Sequence, residues 1–116
     1  MASLSAKWPA ARVRSRVGAL LERVGLSDRA RQHRGDLLMV DLARLRLAQA
    51  LALRPRLLLL DEPLGALPPD DRPAIATLIS ETRSAGTTVL LTEREPAVAK
   101  TVADRVAVLA RGALVA

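Results

Sequence analysis

The chain has 116 residues, of which half are apolar and 26% are charged, so a single packed domain of modest size is expected rather than disorder. It contains no cysteine, which excludes a disulfide framework, a thiolate metal site and a cysteine nucleophile, and fits a reducing cytosol. Trp8 is the only aromatic residue, so the chain lacks an aromatic platform for stacking nucleic-acid bases. The sequence predicts neither a secretory signal nor a membrane-spanning segment.

The formal charge of +6 is unevenly distributed. Residues 1–56 carry 12 basic and 4 acidic side chains, whereas residues 57–116 carry 6 and 8. Arg12, Arg16 and Arg23 would lie on one side of a helix and could meet nucleic-acid phosphates or an acidic protein surface. Charge runs usually form a solvated face, however, and no recognition motif accompanies this one. We therefore expect no nucleic-acid partner.

The first half of the chain has the periodicity of helices. Five apolar residues spaced as one stripe predict an amphipathic helix that ends near Gly25: Val13, Val17, Leu20, Leu21 and Val24. A short second helix is predicted to begin near Ser27, and a longer one to span residues 42–53 and end before Pro55. Residues 1–54 are thus predicted to form a small helical domain.

From Leu57 the pattern changes to strands that alternate with helices. Residues 57–60 form a continuous leucine run, which predicts a strand covered on both faces. A helix should then begin at Asp70 or Asp71 and close at Gly86. The later predicted elements are a strand over 87–91, a helix over 96–103, a strand over 105–109, a turn at 111–112 and a strand over 113–115. This alternation predicts a parallel α/β sheet over residues 55–116.

Two carboxylates follow the leucine run directly. Asp61 and Glu62 would lie at the carboxyl end of a buried strand, where ligands of open α/β sheets bind. In phosphoryl-transfer sites an Asp in this place holds Mg²⁺, and an adjacent Glu can polarise the attacking water. Buried strands also end in acidic residues for structural reasons, so the pair alone leaves both interpretations open.

The residues around this pair are more specific. The segment LRLAQALALRPRLLLLDEPLGAL, residues 45–67, closely resembles the ATP-binding subunits of ABC transporters, and the resemblance extends from about residue 12 to the C-terminus. It implies an incomplete P-loop NTPase-like fold, with a small helical subdomain before a parallel-sheet core. It also implies a cytoplasmic protein, peripheral at the inner face of the cell membrane, that binds ATP and Mg²⁺ and couples ATP hydrolysis to solute transport.

The resemblance assigns roles to several residues. Asp61 matches the Walker B Asp that handles Mg²⁺, and Glu62 matches the catalytic Glu. Arg94 occupies the position of a switch His; it could contact phosphate as a permanent cation, although a solvated Arg is the preferred alternative. The phosphate-binding signature segment falls on Leu37, Leu38, Met39, Val40 and Asp41.

The sequence departs from the family at three places. Bulky apolar residues replace the Ser and Gly of the signature segment, and Pro68 replaces an Asp in the loop after Walker B. A Gly-x-x-x-x-Gly-Lys-Ser/Thr loop occurs nowhere in the sequence, whose only lysines are Lys7 and Lys100. In the family this P-loop lies in the first half of a longer domain, so the resemblance implies the C-terminal half of an ATP-binding subunit or a degenerate form of one. We therefore expect that the chain does not hydrolyse ATP alone.

The expected partners follow from the same resemblance. They are membrane-spanning permease subunits, together with a P-loop-bearing ATP-binding subunit or a second copy of the chain. The family's P-loop strand would lie between the predicted strands 87–91 and 105–109, so these strands could close up, accept a second polypeptide or leave apolar edges exposed.

The alternative functions are a non-catalytic scaffold that pairs with an active ATPase or permease and, third, a basic nucleic-acid-binding domain. Asp41, Arg44 and the LPPD sequence at 67–70 look most like importers of branched-chain amino acids.

Overall fold

The computed structural model describes residues 8–116, and they fall into two compact units. The first unit extends to Leu58 and the second is Leu59–Ala116. This division lies four residues after the predicted boundary at residue 54. In the described part of the chain, no helix combines the length and the apolarity needed to cross a membrane.

The first unit is helical. Helix α1 spans Ala10–Val24 and helix α2 spans Met39–Leu51, with 3-10 turns at Ser27–Arg29 and Arg34–Asp36 between them. Gly25 ends α1 with a φ of 80°, a left-handed conformation that favours glycine. The predicted end of the first helix is thus confirmed, whereas α2 begins three residues earlier than predicted.

Helices α1 and α2 pack on each other through their apolar stripes. The buried residues that form this core are Leu20, Val24, Leu26, Leu47, Ala48, Leu51 and Ala52. One charged residue lies among them, because the Asp41 side chain is 3% exposed. Its Oδ2 lies 3.1 Å from Arg29 Nε and its Oδ1 lies 3.9 Å from Arg44 Nη1, so Asp41 ties the α1–α2 connection to the start of α2.

The second unit is built around a two-stranded parallel sheet. Strand β1, Leu57–Asp61, spans the junction of the two units, and it pairs with β2, Thr88–Thr92. Helix α3, Arg72–Ser84, connects the strands and packs on β2 with Ile75, Ile79 and Thr82 buried. The predicted strand–helix–strand order is confirmed, and it brings the carboxyl ends of both strands to one edge.

The prediction that β1 is covered on both faces is wrong. Exposure alternates along the strand, since Leu58 is 5% exposed whereas Leu57 and Leu59 are 53% and 65% exposed. A leucine run indicates that both faces are apolar, but it does not show that both faces are covered within this chain.

The predicted strand over 105–109 is also wrong. Helix α4 is short, Pro96–Lys100, and only Leu109–Ala110 forms a strand, β3, which pairs antiparallel with β4, Ala113–Leu114. The predicted turn at 111–112 joins them, with positive φ at both residues. This hairpin is a sheet of its own, so it does not close up on β2. The backbone amides and carbonyls of a strand need hydrogen-bond partners. Val108 N–H donates to the carbonyl of Ala116, and the Val108 carbonyl accepts from Val115 N–H, both at 2.8 Å.

Candidate functional site at the carboxyl end of the parallel sheet

Asp61 lies at the last position of β1, and Thr92 lies at the last position of β2. The Thr92 hydroxyl donates a 2.6 Å hydrogen bond to Asp61 Oδ1. Within the described residues no hydrogen bond reaches Asp61 Oδ2, and the side chain is exposed. The sheet therefore presents an oriented carboxylate with one oxygen available, at the edge that the sequence predicted.

Glu62 follows Asp61 in a left-handed backbone conformation with a φ of 49°. Its amide N–H donates to the carbonyl of Thr92 at 2.9 Å, which extends the β1–β2 ladder by one hydrogen bond. Its carboxylate oxygen Oε1 accepts a 2.7 Å hydrogen bond from Arg94 Nε. The structure thus brings Asp61, Glu62 and Arg94 to one place, and Arg94 contacts the acid predicted to be catalytic.

The loop after Glu62 is held by a residue that sequence analysis did not single out. Glu93 accepts hydrogen bonds from two consecutive amides, Leu64 N–H at Oε2 and Gly65 N–H at Oε1, both 2.9 Å long. A Cβ at position 65 would lie 2.6 Å from Glu93 Oε1, so only glycine allows this close approach. Two adjacent amides that point to one carboxylate form a small anion-binding concavity, and Glu93 fills it.

Two buried apolar side chains hold the same loop against the rest of the second unit. Leu64 is 1% exposed and Leu67 is 6% exposed, and Leu67 N–H donates to the carbonyl of Leu64 at 3.0 Å. Arg72 Nε donates to the carbonyl of Leu67 at 3.2 Å, and Pro68 precedes the 3-10 turn Pro69–Asp71 that leads into α3. The loop that carries Glu62 is therefore fixed at both ends.

The predicted signature segment lies in the first unit. Leu37 and Val40 are half-buried, whereas Leu38 and Met39 are 67% and 58% exposed at the start of α2. Asp41 is buried and paired with arginines, so its carboxylate has a structural role in this unit. A part in nucleotide binding stays a prediction for these residues, and the geometry of Asp41 does not support it.

The basic side chains of α1 make contacts within the chain. Arg12 lies over the Trp8 ring, with Cζ 4.2 Å from the ring centroid, and Arg16 Nη2 donates to the carbonyl of Leu51 at 3.4 Å. The pKa of the Arg16 guanidinium is lowered, first by burial and then by repulsion from Arg54 and Arg23. These contacts favour a structural role for the basic face.

The residues at the sheet edge fit a magnesium ion only in part. Among residues 8–116, no group of three or more His, Cys, Asp or Glu side chains is placed to hold a metal ion. Mg²⁺ is usually bound through one or two carboxylates, with waters and substrate phosphates as its other ligands. Asp61, exposed and with Oδ2 available, fits the part of one such carboxylate.

Sequence analysis missed Thr92 and Glu93, although both lie where a signal existed. Both directly follow the strand predicted over 87–91, and the carboxyl ends of parallel strands share an edge, here with Asp61. A polar residue at each strand end could therefore have been grouped with the acidic pair before any coordinates existed.

Comparison with known proteins shows which proteins the chain is similar to. No family model matches the chain. In sequence, it is 43% identical over 111 residues to the methionine import ATP-binding protein MetN 2 of Rhodococcus jostii, and 42% identical over 111 residues to MetN of Symbiobacterium thermophilum. Both matches cover 95% of the chain and 33% of the relative. The chain thus spans about a third of the length of these relatives.

The solved structures agree with the sequence comparison. The chain is similar to CbiO1 of Clostridium perfringens, part of the ABC transporter complex CbiONQ, with a TM-score of 0.89, 25% identity and coverage of 99% of this chain and 46% of CbiO1. It is similar to an ATP-binding cassette of an ABC transporter in its ADP conformation, with a TM-score of 0.85, 23% identity and coverage of 95% and 44%. The fold is that of an ATP-binding cassette, of the P-loop NTPase class. Over the part that it spans, the chain is homologous to ABC-transporter ATP-binding subunits.

Proposed function

We propose that this chain is part of an ABC-transporter ATPase that acts only together with a P-loop-bearing partner. The assembled cassette binds ATP and Mg²⁺ and, docked on membrane-spanning permease subunits at the cytoplasmic face of the membrane, drives solute transport. One observation carries the proposal: Thr92 orients the Asp61 carboxylate at the ligand-facing edge of the sheet, directly before Glu62.

Each residue of the edge has a defined part in this proposal. Asp61 would hold Mg²⁺ through Oδ2, since Thr92 already occupies Oδ1. Bound Mg²⁺ neutralises charge on the phosphates. Glu62 would accept a hydrogen bond from the attacking water once its contact with Arg94 opens. Arg94 would then be free to contact a phosphate oxygen as a permanent cation.

The solute is proposed from the relatives. Those at 37–43% identity are methionine import proteins, and the branched-chain features of the sequence also indicate an amino-acid importer. We therefore place the transported solute among the amino acids. The branched-chain assignment itself stays a prediction.

A second function, the non-catalytic scaffold, is favoured by one observation. Arg94 Nε donates to Glu62 Oε1 at 2.7 Å, so a permanent cation occupies the carboxylate that would polarise water. If this ion pair persists in the assembled protein, the chain would support an active ATPase or permease without catalysing hydrolysis itself.

An ATPase assay separates the two functions. The chain is mixed with a P-loop-bearing cassette portion, and turnover is compared for the wild type, Glu62→Gln and Arg94→Ala. The catalytic function predicts turnover that Glu62→Gln lowers by about 10² to 10⁴-fold. Glu95→Gln is the matched control, because Glu95 is an exposed acid close by in sequence that makes no side-chain hydrogen bond among the described residues.

The outcomes are distinct. Turnover that is equal in the wild type and Glu62→Gln would contradict a catalytic Glu62. Turnover that appears only in Arg94→Ala would show that the ion pair silences the native chain. Absence of turnover in every mixture, together with recovery of transporter subunits from membranes by the tagged chain, would favour the scaffold.

A further inference from the structure

Three arginines of the first unit lie close together where α1 passes the carboxyl end of α2. Two of them meet at one backbone oxygen, because the Leu51 carbonyl accepts a 3.4 Å hydrogen bond from Arg16 Nη2 and a 3.0 Å hydrogen bond from the Arg54 amide. Arg23 lies about two helical turns after Arg16 on α1, so it projects from the same side of that helix. We call Arg16, Arg23 and Arg54 the arginine cluster.

The arginine cluster has no acidic partner within the described residues. The ion pairs of this unit are those of Asp41, and they include no member of the cluster. Residues 1–7 cannot supply a counter-charge, because they contain no Asp or Glu. Glu22 is adjacent to Arg23 in sequence, but neighbouring residues of a helix do not face each other. In the part of the chain that the structure describes, three positive charges therefore lie together without an anion.

Arg16 shows what this arrangement costs. Its Nε is buried and has no hydrogen-bond partner among residues 8–116, so one of its N–H donors is unsatisfied. The pKa of its guanidinium is lowered by burial first, and then by repulsion from Arg54 and Arg23. An unsatisfied buried donor and like charges at close range both destabilise the folded chain. An anion bound to the cluster would relieve the repulsion.

Stabilisation of the α2 carboxyl end accounts for only one of the three arginines. That end carries a partial negative charge of about one half, and α2 has no basic residue in its own last turn, so Arg16 supplies the cation from α1. Half a charge cannot balance Arg23 and Arg54 as well, and both of these residues are exposed. The cluster thus keeps an excess of roughly two positive charges that a ligand in solution can reach.

The charge of the cluster favours a ligand with phosphate groups. A single carboxylate would leave most of the excess, whereas a phosphate monoester carries about −1.5 to −2 charges near pH 7 and offers three strong acceptor oxygens. Guanidinium groups bind such oxygens in a planar, bidentate geometry. Trp8 is the only aromatic residue of the sequence, and Arg12 lies over its ring, so the cluster has no platform for stacking bases.

We infer that the arginine cluster is a binding site for a soluble oligophosphate, an anion with two or more linked phosphate groups. Arg16 is held in place by the Leu51 carbonyl, and the exposed Arg23 and Arg54 supply the remaining charge. The cluster belongs to the first unit, whereas Asp61 and Glu62 belong to the second. The site therefore uses none of the residues on which the proposed function rests.

Binding of inorganic tripolyphosphate to the full chain tests the inference. Isothermal titration calorimetry at low salt should show one-to-one binding, and the ligand should raise the melting temperature of the chain. Arg23→Gln and Arg54→Gln should each weaken the binding by at least about tenfold, because each removes charge-assisted hydrogen bonds to phosphate. Both residues are exposed, so the variants should fold, which circular dichroism checks.

Arg14→Gln is the matched control. Arg14 is exposed on α1, as Arg23 is, and the substitution removes the same charge from the chain. Arg14 is close to Arg16 in sequence but projects from a different side of the helix, at 100° per residue. This variant should therefore bind tripolyphosphate within about twofold of the wild type, since only the screened, long-range part of the attraction is lost.

Three results would overturn the inference. One is the absence of tripolyphosphate binding at low salt. Another is equal weakening by all three substitutions, which would mean that the chain attracts anions through its net charge alone. The third is tighter binding of a single-stranded oligonucleotide or of vesicles with anionic phospholipid, lost in Arg23→Gln and Arg54→Gln, which would assign the cluster to a nucleic acid or a membrane. None of these measurements involves ATP turnover, so the inference and the proposed function fail separately.

Discussion

Gly65 and Glu93 are 28 residues apart in sequence and in direct contact in the structure. The Gly65 amide donates to Glu93 Oε1 at 2.9 Å, and no Cβ fits between them. The loop after the acidic pair is thus fastened to the residue that follows β2. The preceding amide, that of Leu64, donates to the same carboxylate. The two hydrogen bonds together fix the path of the chain just after Glu62.

Gly65→Ala should destabilise the protein by displacing the Glu93 carboxylate. The new Cβ would lie 2.6 Å from Oε1, and the flexible Glu93 side chain would yield, with loss of both amide hydrogen bonds. We expect the free energy of unfolding to fall by about 1–2 kcal/mol in urea denaturation.

A double-mutant cycle checks the mechanism. Glu93→Ala removes the same hydrogen bonds, so Gly65→Ala and Glu93→Ala together should cost little more than either alone. Additive losses would mean that Gly65 is needed for a reason other than its contact with Glu93.

Leu64→Ala should be among the more destabilising substitutions in the second unit. Leu64 is 1% exposed, and truncation would leave a cavity under the loop that carries Glu62. A loss of about 3 kcal/mol is expected. Leu90→Ala is a suitable comparison, since Leu90 is 61% exposed and its truncation should change the unfolding free energy by less than about 1 kcal/mol. Equal losses at the two positions would contradict the burial that the structure shows.

Arg29→Ala should destabilise the first unit because it leaves the buried Asp41 carboxylate without its nearer cation. The Asp41 side chain is 3% exposed, and breaking an ion pair so that an uncompensated charge stays buried costs about 3 kcal/mol or more. The effect should appear as a lower urea midpoint. Asp41→Ala should cost less, since the arginines that it leaves behind, Arg29 and Arg44, have side chains that are 39% and 25% exposed and can be solvated. A larger loss for Asp41→Ala than for Arg29→Ala would contradict this prediction.

Arg94→Ala should leave stability almost unchanged. The Arg94 side chain is 87% exposed, and ion pairs in that setting contribute less than about 1 kcal/mol. The same substitution removes the hydrogen bond to Glu62 Oε1, so its effect should be seen in the ATPase assay and not in unfolding. A loss of more than about 2 kcal/mol in urea would instead assign Arg94 a structural role.

Local periodicity was sufficient for much of the fold. The stripe from Val13 to Val24, with glycine after it, predicted α1 and its end, and the leucine run predicted β1. Periodicity failed over residues 105–108, because an alternating apolar pattern becomes a strand only if a neighbouring strand supplies hydrogen-bond partners. Those residues do not join the parallel sheet, and pairing begins instead where the turn at 111–112 folds the chain back.

The site was predictable where its residues are adjacent in sequence and less so where they are distant. Asp61 and Glu62 were identified at once, since they follow an apolar strand. Thr92 and Glu93 form hydrogen bonds with residues 28 to 31 positions away in sequence: Asp61, Leu64 and Gly65. Only the pairing of β1 with β2 brings these residues together. The burial of Asp41 could not be predicted either, because the sequence does not distinguish the arginines that pair with it from arginines on a solvated face.

The backbone of Glu62 has a last consequence. A left-handed φ of 49° costs a residue with a side chain about 1–2 kcal/mol, a penalty that glycine escapes. A chain shaped by folding alone would favour Gly at position 62, and Glu62→Gly should raise the melting temperature. The left-handed backbone at Glu62 therefore lowers the stability of the loop, and the proposed catalytic role of this carboxylate would explain why a residue other than glycine stands there.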